Sequence, residues 1–149
     1  MPLGLTSWER KMPEKKPEIK RKGVEVIVDM FSGQPNPTWT LTERQVTALV
    51  KLLGKDYRKK SAVKFRKPPG LGYRGFIISN PGGRKGLPRA LRVYKGVINI
   101  REQGAKKRSE VYSIGDMNRI EAWLMEQAAQ KDLDKEIRRM GGPGRIRRL

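Results

Sequence analysis

Lys55, Arg58, Lys59, Lys60, Lys64, Arg66 and Lys67 place seven cations within thirteen residues. The chemistry open to such a block is charge neutralisation: clustered ammonium and guanidinium groups displace the counterions of a polyanion, and that release drives binding. Arg74, Arg84, Lys85, Arg89, Arg92 and Lys95 follow, so residues 55–95 carry thirteen basic side chains against one acid. Arg138, Arg139, Arg145, Arg147 and Arg148 close the chain with arginine rather than lysine. Guanidinium forks grip phosphate oxygens in pairs and stack on bases. Any one charge run reads equally as a solvated loop. Several runs sharing a sign point to a polyanionic partner, and all of these positions except Lys95 are the expected RNA contacts.

Four shorter patterns invite comparison with known chemistry. Tyr73-Arg74-Gly75-Phe76 partly resembles the RNP1 signature of RNA-recognition motifs, through Arg74, Gly75 and Phe76. Ile78 and Pro81 replace the later aromatics, so the stretch reads as a core strand with an incidental glycine. Gly83-Arg84-Lys85-Gly86 has the G-x-x-G form of the KH-domain clamp. Its neighbours read as strands instead of helices, which makes it a flexible hairpin tip whose amides and two cations could meet phosphate. The loop Phe31 to Trp39 could offer Ser32, Asn36 and Trp39 to a partner; equally, Pro35 and Pro37 stiffen a crossover while Trp39 covers the core. Glu25, Asp29, Asp116, Glu121 and Glu126 have no spacing that pairs carboxylates, and read as exposed-face acids.

Catalysis finds little else to use. The chain has no cysteine and no histidine, which removes thiolate and imidazole from both nucleophilic and metal-ligand roles. No phosphate-cradling Walker loop is present. The expectation is a non-enzyme with no cofactor and no metal.

The elements that must position these cations are read from periodicity. Residues 1–22, with Pro2, Pro13 and Pro17, read as a basic extended arm. Val24 to Phe31 alternates as a strand. Helix 43–53 has a full start signal: Thr42 and Gln45 as a capping box, Leu41 and Val46 as a hydrophobic staple, then a stripe of Val46, Leu49, Val50 and Leu53 ending at Gly54. Residues 55–72 read as a basic loop and Tyr73 to Ser79 as a strand. Ala90 to Tyr94 and Val97 to Ile100 form a tight hairpin or one bulged strand, and Val111-Tyr112 a short edge strand. Ser113 and Asp116 signal a second helix with Met117, Ile120, Leu124 and Ala128 inward and Trp123 alongside, helical as far as Met140. The predicted fold is α+β: a small, mostly antiparallel sheet of three to five strands in the order β-α-β-β-(β)-α, with both helices on one face. A single domain would span 23–137, with residues 138–149 as an Arg/Gly-rich tail.

Thirty-four basic and fifteen acidic residues leave a formal charge of +19. Such an excess opposes compaction unless a polyanion offsets it. The expected protein is therefore a structural RNA-binding component of a large ribonucleoprotein, ribosomal or organellar-ribosomal, gripping RNA by backbone and shape. Its expected partners are RNA, ribosomal RNA first, and neighbouring proteins of the assembly, without a membrane span or homo-oligomer. The expected location is intracellular, cytoplasm or organelle interior, not secreted. The rival reading is an accessory subunit of a respiratory complex or phage particle, its arms on acidic protein or anionic lipid.

Overall fold

The computed structural model describes residues 23–31, 35–65, 67–103, 109–116 and 119–144. The basic arm, Arg66, Met117 and the last five residues, with Arg145, Arg147 and Arg148, lie outside them.

Six strands form one antiparallel sheet: β1 Glu25–Val28, β2 Thr38–Thr40, β3 Phe76–Ser79, β4 Ala90–Tyr94, β5 Val97–Gln103 and β6 Ser109–Gly115, in the spatial order β2-β1-β3-β4-β5-β6. Three helices accompany it among the described residues: α1 Glu43–Leu53, α2 Ile120–Gln130 and α3 Asp134–Arg139. The α+β class holds. The strand count exceeds the expected three to five, and two strands rather than one precede α1. The additional strand is β2, in a segment whose prolines read as irregular. Pro35-Asn36-Pro37 instead turns the chain back: Asn36 Oδ1 accepts from the N–H groups of Met30 and Phe31, and Pro37 accepts from Val28. Thr38, Trp39 and Thr40 then pair with β1.

The register sets two faces. Val26, Ile78, Leu91, Ile100 and Tyr112 lie in one cross-strand row, and Val28, Phe76, Val93, Ile98 and Ile114 in the next. These rows join Leu49, Leu53, Ile120, Leu124 and Ile137 in a single core. Alternation along each strand sends Ile27, Ile77, Arg92 and Asn99 the other way.

Helix α1 begins and ends as its sequence signals demand. Thr42 Oγ1 accepts from Gln45 N at 3.1 Å and Gln45 Oε1 from Thr42 N at 2.9 Å. The second helix starts later than the spacing suggests. Ser113 is buried in β6, so Asp116 alone supplies the start, its carboxylate accepting from the amides of Ile120 and Glu121. Nor does helix run unbroken to Met140. Asp132 adopts φ 59°, and Leu133 and Asp132 donate back to Ala128 and Ala129, a Schellman closure with aspartate in the usual glycine position. The chain then restarts as α3, whose Ile137 is fully buried.

Lys95 and Gly96 both take positive φ in the β4–β5 connection. That matches the tight two-residue hairpin.

Candidate nucleic-acid interface

The connection from β3 to β4 is a docked loop, not a free tip. Asn80 is 1% exposed. Its Oδ1 accepts from Arg84 N at 2.9 Å, while Nδ2 donates to the carbonyls of Arg84, Leu87 and Pro88. One buried amide thus closes the whole Asn80–Pro88 turn. Leu87 is buried beneath it, and Gly86 packs against Val50 of α1. At the tip, Gly83 has open space around it.

This rigid turn forms one wall of a recess of about 380 Å³, lined by Arg58, Asn80, Pro81, Gly82, Gly83, Leu87, Arg89 and Glu102. Arg58 comes from the single 3₁₀ turn Tyr57–Lys59 that follows α1. Arg89 comes from the end of the β3–β4 loop. The two basic stretches, distant in sequence, therefore line one recess together with a glycine turn.

The recess contains one acid, and that acid is already satisfied. Glu102 accepts from Arg58 Nη2 at 2.8 Å, Arg58 Nε at 3.0 Å, Tyr57 OH at 2.7 Å and Tyr112 OH at 2.8 Å. The Arg58 hydrogen bonds, working against burial, hold the Glu102 carboxyl at about 2. Burial and the same carboxylate push both phenols upward, so they remain donors. Arg58 is fixed by these bonds yet its side chain stays 68% exposed. A pre-oriented guanidinium beside a second guanidinium and two glycines suits an oxyanion such as a phosphodiester.

The remaining expected contacts separate into two kinds. Arg74 and Arg92 converge on Asp29, at 2.8 and 2.7 Å. Burial alone would raise the Asp29 pKa; the two guanidiniums hold it below the usual range. Arg84 pairs with Glu43 at the start of α1, Arg138 with Asp134 and Arg139 with Glu136. Lys60 Nζ donates to the Leu53 carbonyl at 3.1 Å and so finishes α1. The ion pairs among the described residues all use arginine. Lys55, Lys59, Lys64, Lys67 and Lys85, by contrast, are exposed.

Phe76, the aromatic of the partial RNP1 likeness, is wholly buried, edge-on to Trp39 and Tyr73. Its glycine neighbour has a packing reason. Gly75 has φ 104°, and a Cβ there would lie 2.5 Å from the Val93 carbonyl oxygen. Sequence reading missed Asn80, Tyr57, Glu102 and Tyr112. The Asn-Pro-Gly-Gly turn was a usable signal for Asn80; nothing local marks the other three as partners.

Among the described residues, no group of three acids, cysteines or histidines stands close enough to hold a metal ion, and no helix is long and apolar enough to cross a membrane. No family model, no curated protein and no solved structure matches the chain.

Proposed function

We propose that this chain is a non-catalytic RNA-binding structural protein of a large ribonucleoprotein, ribosomal or organellar-ribosomal in kind, that holds RNA by its phosphate backbone. One observation carries the reading. Arg58 and Arg89, drawn from the two most basic stretches, line a single recess with the Gly82-Gly83 turn, and the one acid in that lining already accepts from Arg58, Tyr57 and Tyr112. Exposed lysines at 55, 59, 64, 67 and 85 extend the positive field on the same two stretches. Recognition by charge and shape asks for no catalytic group and no aromatic stack.

The test is sedimentation of the native protein through a sizing gradient with and without ribonuclease. The proposal expects a large particle that ribonuclease disperses. A particle untouched by ribonuclease and containing only protein would replace it with the accessory-subunit reading.

A further inference from the structure

The sheet face turned away from the helices carries a composition that the core does not explain. Ile27, Ile77, Arg92, Asn99 and Ser113 form one cross-strand row; Glu25, Ser79, Ala90, Arg101 and Val111 form the next. Ile77, Ala90, Arg92, Asn99, Arg101 and Val111 also border a shallow hollow of about 190 Å³. Its floor is aliphatic and its polar groups are two guanidiniums and an amide. Val111 is 58% exposed, unusual for a valine on an ordered strand. The chain passing the outer edge of β6, where Val63 N donates to Ser113 O at 2.9 Å, adds exposed Val63 and half-exposed Phe65.

We infer that this helix-free face is a platform for single-stranded RNA, with Arg92, Asn99 and Arg101 contacting bases and phosphates over the Ile77–Ala90–Val111 floor. The inference rests on the RNA reading above and adds a second, chemically different surface to it. Arg92 Nη1 is held by Asp29 Oδ2 and by the Arg74 carbonyl, each at 2.7 Å. A guanidinium fixed in this way presents a constant plane on which a base can stack. Aliphatic floor has no use for phosphates, but it suits the faces of unpaired bases, which a duplex hides. Glu25 is the one acid in the two rows, and Asp29 beyond them is shared between Arg74 and Arg92, so the face keeps a positive excess that favours an anion. A second copy docking by two-fold symmetry would oppose arginines to arginines. Arg89 and Glu102 of the recess adjoin Ala90 and Arg101 in sequence, but strand alternation turns Glu102 away from Arg101, so the platform and the recess are separate surfaces.

The experiment is fluorescence anisotropy of the full chain with two probes at one salt concentration, a short oligouridylate and a short RNA duplex. Wild type is compared with a face variant (Asn99→Ala with Arg101→Ala) and a variant of the recess and its flanking lysine (Lys59→Ala with Arg89→Ala), hereafter the recess variant. The expected result is single-strand binding weakened about tenfold by the face substitutions, the loss of roughly one good contact, with duplex binding unchanged. Single-strand binding that responds only to the recess variant overturns the platform and leaves the RNA reading standing. Failure of both probes to bind overturns the RNA reading and the platform with it. Unchanged RNA binding by a face variant that loses a co-purifying protein assigns the face to protein and also overturns the platform.

Discussion

Glu102 accepts hydrogen bonds from a guanidinium and two phenols, so its charge is part of how the 3₁₀ turn is held against β5 and β6. Its folded pKa of about 2 lies below the ordinary 4.5. A depressed carboxylate contributes stability above the unfolded pKa and loses it as pH falls through the folded value. The contribution should therefore fade between about pH 4.5 and pH 2. Urea midpoints measured across that window should fall less steeply in Glu102→Gln than in wild type. Parallel slopes would deny the carboxylate its role. Gly75 offers a steric counterpart. Gly75→Ala drives a methyl into the Val93 carbonyl from a left-handed backbone, and should cost roughly 1–3 kcal/mol. Phe76→Ala empties the centre of the sheet's packed face and should cost about 3–5 kcal/mol. Denaturant titration reads both.

Elements with a complete local signal are legible in the sequence. Thr42 and Gln45 specify where α1 begins, and Gly54 where it stops, because caps act within four residues. Lys95-Gly96 marks a break between two apolar runs, but a bulge would use the same residues, and only the antiparallel pairing of β4 with β5 decides for the hairpin. β2 was hidden because its three residues are too short for alternation to show, and the adjacent prolines read as disorder of direction instead of a reversal. The Asp29–Arg74–Arg92 cluster was hidden for a different cause: its partners are 45 and 63 residues from Asp29, and only strand order brings them together. The recess was half legible. Its cations and glycines stand out as types, but their convergence on Glu102 depends on where the 3₁₀ turn lands. The start of α2 shows how a correct residue can carry a wrong boundary. Asp116 does cap the helix, yet it does so by reaching the amides of Ile120 and Glu121. Asp116→Ala should lower stability by about 1 kcal/mol, the usual cost of losing such a cap, seen as a lower thermal midpoint. No change would mean that Arg119, left-handed at the N-cap, already starts the helix unaided.

Across the molecule, arginine and lysine divide the work. Arginines at 58, 74, 84 and 92 pair with acids of the body and tie loops to strands and helices, while those at 138 and 139 pair within α3. The exposed lysines at 55, 59, 64, 67 and 85 are not part of those pairs, which leaves a positive field on the surface. Paired arginines such as Arg58 still present a free edge, so the architecture pre-orients some of the contacts it also consumes. The account depends on that residual field meeting phosphates, and salt measures this directly. For wild type, log affinity for structured RNA should fall linearly with log salt, by roughly 0.7–0.9 per phosphate neutralised. Lys59→Ala with Arg89→Ala should weaken binding and make that slope shallower by about one to two such contacts. An affinity for RNA that is indifferent to salt, or a slope identical in the variant, would contradict the claim that these two stretches form one phosphate-binding site.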